Sequence, residues 1–185
     1  MKWVYITLTV IFFFVFSGGA SAQRYLPGMY GIQVTIGAVP KNGSHYGIAF
    51  SQYTKNSGRY TFGVEYLDKR HPYKSIKIPQ SIFVLDAGYF LKFLSDYSKT
   101  VFFSFGASGH AGYETINWNN KVLFDGATII NGDSFIYGGS LTLESEIYLT
   151  DRIILLCNIR EKLLMGSSVG KFHTQAGLGL KFIIN

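Results

Sequence analysis

Hydrophobic side chains recur at every second position along most of this sequence. In residues 59–67, large apolar residues occupy the even positions from Tyr60 to Tyr66, and Thr61, Gly63 and Glu65 occupy the positions between them. Such alternation places successive side chains on opposite faces of a β-strand. It therefore predicts an all-β protein whose strands have one apolar and one polar face. The eight segments that show the pattern are residues 31–39, 45–53, 59–67, 81–93, 100–115, 135–149, 153–164 and 172–184.

Composition indicates which face of these strands is turned outward. Charged residues make up 15% of the chain, against roughly 25% in typical soluble domains. A soluble barrel packs its large apolar residues inside and covers its outside with charges. The charges here are too few for that, so we expect the apolar face to contact a lipid bilayer. A soluble, lipocalin-like barrel is the alternative.

The connections between the predicted strands alternate in length. Residues 68–80 and 116–133 form long connections, whereas residues 55–57, 95–99 and 150–152 form short ones. Outer-membrane barrels combine long outer loops with short periplasmic turns. The sequence thus predicts an eight-stranded antiparallel up-and-down transmembrane β-barrel of outer-membrane type.

The N-terminus has the pattern of a cleavable signal peptide. An apolar stretch covers residues 4–16, and Ala20-Ser21-Ala22 supplies the small residues that signal peptidase recognises. The stretch is shorter than the roughly 20 residues that a membrane-spanning helix needs. We therefore expect residues 1–22 to be removed and residues 23–185 to form one β-barrel domain. The expected location is the outer membrane of a Gram-negative bacterium.

Several segments resemble one known family. The matching residues are 23–29, 53–56, 63–67, 93–96, 112–118, 125–128, 148–152, 172–175 and 181–185. On these segments the chain resembles the TraO conjugal-transfer proteins of Bacteroides-type conjugative transposons. The resemblance implies a role in conjugative DNA transfer, an envelope location and other conjugation proteins as partners. It supplies no catalytic residue. The alternative is a general small outer-membrane barrel that acts as a porin, an adhesin or a lipid-modifying enzyme.

Charged residues on the polar face predict a network inside the barrel. An eight-stranded barrel is just wide enough to be filled by side chains, and buried charges must be paired because isolated ones are very costly. We therefore expect a structural network of ion pairs. Its predicted members are Glu65, Asp86, Lys92, Glu114, Glu144, Glu146, Arg160, Lys162 and Lys181.

The sequence gives little reason to expect catalysis. A serine activated by His110 or His173 and a carboxylate is conceivable, but no spacing identifies such a triad, which is recognised by geometry. The single cysteine, Cys157, excludes a disulfide framework and a multi-cysteine metal site. We expect no enzyme activity, no cofactor and no bound metal.

A basic segment lies in the predicted outer loop of residues 68–80. Its cations are Lys69, Arg70, Lys74 and Lys77. The segment is either a solvated loop or a contact for the anionic phosphates of lipopolysaccharide or for another partner, since clustered cations create a positive local field. We expect outer-membrane lipid and lipopolysaccharide as partners. The formal net charge of +6 is spread along the chain, so we expect no direct sequence-specific binding of nucleic acid.

Overall fold

Eight antiparallel strands close into a barrel in which each strand pairs with its neighbours in sequence and β8 pairs with β1. The computed structural model describes residues 27–40, 43–74, 76–123, 125–129, 133–167 and 170–184. The predicted signal peptide lies outside these residues. The strands are β1 Tyr30–Val39, β2 Gly43–Tyr53, β3 Gly58–Tyr73, β4 Ile76–Ser95, β5 Val101–Ile116, β6 Ser134–Tyr148, β7 Ile153–Met165 and β8 Phe172–Ile183.

The two ends of the barrel differ. The connections at residues 54–57, 96–100 and 149–152 lie at one end, which we call the turn end. The β3–β4 hairpin and the β5–β6 loop lie at the other, which we call the hairpin end. Within the described residues the only helix is the short 3-10 turn Asn117–Asn119 in the β5–β6 loop. None of the described helical structure is long and apolar enough to span a membrane.

The side chains divide into an apolar exterior and a polar interior. Outward-facing residues such as Ile48, Val64 and Leu85 are exposed, with Leu85 at 62%. Their neighbours point inward, and many charged residues among them are fully buried, for example Glu144 and Lys162. This arrangement confirms the predicted outer-membrane type of barrel. It is the reverse of the arrangement in a soluble, lipocalin-like barrel.

Apolar side chains close the interior near both ends. Near the hairpin end, Val39, Leu67, Ile82, Val84, Ile136 and Leu164 form one buried cluster. At the turn end, Phe102, Tyr148, Ile154 and Leu156 form another, with Ile183 packed against it. The polar groups of the barrel interior therefore lie mainly between two apolar layers, where they must satisfy one another.

Residues 68–80 are predicted to form a loop, and this prediction is wrong because most of the segment is β-structure. β3 and β4 continue as an antiparallel hairpin from the pair Asp68↔Ser81 to the pair Tyr73↔Ile76. Charged residues and two prolines obscured the alternation in this segment. Among the described residues, each hairpin strand has an unpaired edge beyond the barrel, where the missing N–H of a proline breaks no ladder hydrogen bond. Pro72 and Pro79 are therefore compatible with the strands.

Candidate functional site

The interior near the turn end holds a compact group of two cations and two carboxylates. Arg59 forms ion pairs with Glu144 and, at 2.7 Å, with Glu146. Lys181 pairs with Glu146 on the other side. The Tyr53 hydroxyl donates a 2.8 Å hydrogen bond to Glu146. The positive and negative charges balance, as burial of such groups requires.

A second ion network occupies the middle of the barrel. Arg160 Nη1 lies 3.2 Å from Glu65 Oε2 and 3.3 Å from Asp86 Oδ2. Lys162 Nζ lies 2.7 Å from Glu65 Oε1, and Gln175 donates a 2.8 Å hydrogen bond to the same oxygen. This network links β3, β4, β7 and β8 across the interior. It also balances two cations with two carboxylates.

Near the hairpin end the polar groups are linked in smaller sets. The Ser167 hydroxyl donates a 2.6 Å hydrogen bond to Glu114. Lys69 Nζ lies 2.5 Å from His173 Nδ1. Lys69 is thus buried inside the barrel, although its sequence context assigned it to the cationic outer loop. That assignment is wrong because position 69 continues the inward-facing register of β3.

The structure brings most of the predicted interior charges together. Glu65, Asp86, Arg160 and Lys162 meet in the middle network, while Glu144, Glu146 and Lys181 meet near the turn end. Glu114 lies apart from both. Lys92 differs again: its ammonium lies 4.9 Å from the centre of the Phe102 ring, in a cation–π arrangement.

Sequence reasoning missed Arg59, which is fully buried and contacts both carboxylates near the turn end. It stands at the first position of the predicted segment 59–67, in the same odd register as Glu65. The alternation alone could therefore have found it. Its guanidinium also lies 4.4 Å from the centre of the Phe90 ring, a contact between distant strand positions that alternation does not predict.

The two histidines considered for catalysis belong to these polar contacts. His110 Nδ1 lies 3.0 Å from Asp86 Oδ2. His173 has Lys69 near one ring nitrogen and the Gly170 carbonyl 2.9 Å from the other. Within the described ranges, no serine hydroxyl hydrogen-bonds to either imidazole. Those ranges also hold no cluster of three or more His, Cys, Asp or Glu side chains suited to a metal ion.

Outside the barrel, the β3–β4 hairpin and the β5–β6 loop contact each other. Lys74 Nζ lies 2.5 Å from Asp125 Oδ2, and the Tyr73 hydroxyl donates a 3.3 Å hydrogen bond to the same oxygen. The hydrogen bond from Lys74 lowers the pKa of the Asp125 carboxyl, and the same contact raises the pKa of Lys74. Arg70 and Lys77 lie on the opposite side of the hairpin from Lys69, beside Trp118 of the loop.

Comparison with known proteins gives the family. The model of the family described as conjugative transposon protein TraO matches residues 26–184, which is nearly the whole chain. The chain belongs to the TraO family. The resemblance that the sequence segments indicated is thereby confirmed, and the protein is a component of a conjugative transposon. No curated protein matches the sequence.

Two solved outer-membrane proteins share the fold. Neisserial surface protein A matches with a TM-score of 0.60 and 14% identity, over 84% of this chain and 96% of its own. The N-terminal β-barrel domain of Pseudomonas aeruginosa OprF matches with a TM-score of 0.52 and 13% identity, over 85% of this chain and 98% of its own. At such low identity these likenesses support the eight-stranded barrel and carry no function across.

Proposed function

We propose that this TraO protein is anchored by its barrel in the outer membrane of a Gram-negative cell and docks other subunits of the conjugative transfer apparatus. Membership of the TraO family connects the chain to conjugative transposons. The observation that carries the proposed role is the division between an apolar exterior and an interior filled with paired charges. This division leaves the two ends as the surfaces available to other proteins.

The filled interior argues against a conduit. Eight strands enclose a space just wide enough for side chains, whereas porins with a water-filled channel have 16 to 18 strands. Here the ion networks bridge opposite strands, as Arg59 of β3 does with Glu144 of β6. A DNA strand therefore has no passage through a single barrel.

The hairpin end offers the larger docking surface. The β3–β4 hairpin extends beyond the last β4–β5 pair, Gln80↔Ile116, and contacts the β5–β6 loop through Asp125. Binding residues concentrate on such exposed segments held by a rigid scaffold. At the turn end, the connections are short. The N-terminal segment, residues 23–29, is the remaining candidate there, and residues 23–26 lie outside the described part of the chain.

A mating assay with trimmed donors tests this proposal. Because Lys69 and Gln80 are register partners, residues 70–79 can be replaced by an Asn-Gly turn that preserves the pairing below. Residues 117–132 can be replaced by a short Gly-Ser linker, and residues 23–29 can be deleted behind the intact leader. Each variant is first tested for assembly by its gel mobility before and after boiling.

We expect at least one correctly assembled variant to lower the conjugation frequency by about tenfold or more, because loss of a docking contact of ~1.4 kcal/mol already changes binding tenfold. The matched control replaces residues 150–151 of the β6–β7 turn by Asn-Gly, which leaves the three segments intact. Normal transfer by all three assembled variants would reject the docking role.

A further inference from the structure

We propose that Arg70, Lys77 and Trp118 form a site for the phosphate groups of lipopolysaccharide in the outer leaflet. This inference rests on the outer-membrane placement proposed above, and it assigns a ligand to one side of the hairpin. Of the four cations predicted for this segment, Lys69 is directed into the barrel and Lys74 is bound to Asp125. Arg70 and Lys77 remain on the outward side.

The register places these two cations at the height of lipid headgroups. On β3 the lipid-facing positions run from Phe62 through Val64 to Tyr66, whose ring lies 5.0 Å from that of Phe83. Aromatic pairs of this kind mark the edge of the hydrocarbon layer. Arg70 follows Tyr66 by four residues, which is about 13 Å along a strand and about 10 Å in height for a strand tilted by roughly 40°. The headgroup layer is roughly 5–7 Å deep on each side of the hydrocarbon, so the Arg70 backbone lies just above it and its long side chain reaches back to the lipid phosphates.

The two cations are close enough to bind one lipid headgroup. Arg70 pairs with Pro79, and Lys77 pairs with Pro72. Arg70 and Lys77 are therefore diagonal neighbours on one face, a relation that separates their backbones by about 7–8 Å. Long basic side chains readily converge over that distance.

The surroundings form a depression with the amphipathic character of a glycolipid headgroup. Arg70, Lys77 and Trp118 line it together with Tyr46 and Tyr66. Arg70 is 61% exposed on its side chain, and its Nε lies 3.4 Å from Asp68 Oδ2. This long contact orients the guanidinium and leaves it accessible to a phosphate, for which arginine offers a matching fork of donors.

Trp118 is held over the depression by an unusual backbone. Asn117, Trp118 and Asn119 all have φ values between 50° and 62°, a region that non-glycine residues rarely adopt. Asn117 Nδ2 donates a 2.8 Å hydrogen bond to the Asn120 carbonyl, which closes the turn. Trp118 is 65% exposed. Strain of this kind clusters at ligand-binding segments, and an indole beside cations suits the boundary between acyl chains and sugars.

The experiment measures retention of lipid A by the purified mature protein in detergent, using native mass spectrometry. We compare the wild type with the double variant Arg70→Glu/Lys77→Glu. The matched control is Lys55→Glu, which makes the same change at an exposed lysine of the turn end. We expect the double variant to retain lipid A about tenfold more weakly, because charge-assisted hydrogen bonds to phosphate are lost. The Lys55 variant is expected to match the wild type.

A comparison of different lipids identifies the chemical group that the site recognises. For the wild type we expect removal of both phosphates from lipid A to weaken retention to the level of the double variant, and we expect phosphatidylglycerol to be retained more weakly than lipid A. Equal retention by the wild type and the double variant, or of lipid A with and without phosphates, would overturn the site. If the double variant does not fold, the comparison of the different lipids on the wild-type protein decides the question. The outcome of the mating experiment does not affect this test, because lipid A retention is measured on the purified protein without any other transfer protein.

Discussion

At the scale of single residues, the Glu146 carboxylate has three side-chain partners in the barrel interior. It accepts from Tyr53 and pairs with both Arg59 and Lys181. We expect Glu146→Gln to lower the free energy of unfolding by about 3–5 kcal/mol, because removal of one partner leaves buried charge uncompensated. Urea-induced unfolding in lipid vesicles, followed by tryptophan fluorescence, measures the change.

The control restores the charge balance. In Glu146→Gln/Lys181→Met one carboxylate and one ammonium are removed together, so we expect the double variant to be more stable than Glu146→Gln alone. A double variant less stable than the single one would show that the two residues do not act as a pair. Such coupling is measurable only when both single variants are included.

A carboxylate on the outer face is a second residue-scale feature. Glu161 is exposed between the outward-facing Ile159 and Leu163 of β7, and it accepts a 2.6 Å hydrogen bond from Thr174 of β8. A charged group on the lipid face destabilises a barrel, although less for carboxylates than for basic groups. We expect Glu161→Leu to raise the unfolding free energy by about 1 kcal/mol. Glu161→Gln is the isosteric control. A Glu161→Leu variant less stable than the wild type would show that this position does not contact the hydrocarbon of the bilayer.

At the residue scale, sequence alternation predicts which charges point inward but not which of them meet. Glu65 and Lys162 lie 97 positions apart in the chain, and their contact follows from barrel closure, which no local pattern specifies. The same limit applies to Lys69 and His173. Arg59 was within reach of the pattern, because it shares the register of Glu65.

At the scale of elements, strand β6 provides a direct test of the two faces. Leu143 is 48% exposed, whereas its neighbour Thr142 is buried and accepts a 2.9 Å hydrogen bond from Arg160. We expect Leu143→Arg to cost about 2–4 kcal/mol of stability if the position lies near the bilayer midplane. Leu143→Phe should be tolerated. Equal stability of the Arg and Phe variants would contradict the assignment of the lipid-facing side.

The contact between the hairpin and the β5–β6 loop is expected to depend on pH. The pKa of Asp125 is lowered by the hydrogen bond from Lys74. A carboxyl with a lowered pKa stabilises the contact above its ordinary pKa and loses that effect as the pH falls through the lowered one. The contact should therefore persist at neutral pH and weaken below about pH 4.

Limited proteolysis with pepsin, which is active in acid, measures that change. We expect cleavage in the β5–β6 loop to become faster below pH 4 for the wild type, and to be fast at every acidic pH for Asp125→Asn. Asp151→Asn in the β6–β7 turn is the matched control. Identical cleavage rates for the wild type and Asp125→Asn across this range would show that the contact does not hold the loop.

The elements themselves were predictable to different degrees. Along the barrel wall the alternation is regular, because every position has lipid on one side and the interior on the other. Beyond the wall both faces of the β3–β4 hairpin meet polar surroundings, so residues 68–80 no longer alternate in hydrophobicity. The hairpin was therefore predicted as a loop, and the basic side chains of its two faces could not be told apart.

At the scale of the whole molecule, closure of the barrel explains why the ends carry the proposed role. The lipid-facing wall and the paired interior leave no wide passage, while the hairpin and the β5–β6 loop are joined through Asp125 at one end. Alternation and connection lengths predict this architecture from the sequence. The docking partners leave no comparable pattern, since recognition depends on the shape of exposed segments.

Separation of donor-cell membranes on a sucrose gradient, followed by gel electrophoresis with and without boiling, tests whether the protein is a closed barrel in the outer membrane. A closed barrel resists detergent until it is heated, so we expect the mature chain in the outer-membrane fraction, with a mobility that changes on boiling. Recovery of the chain in the soluble periplasmic fraction, with the same mobility before and after boiling, would contradict a closed barrel in the outer membrane.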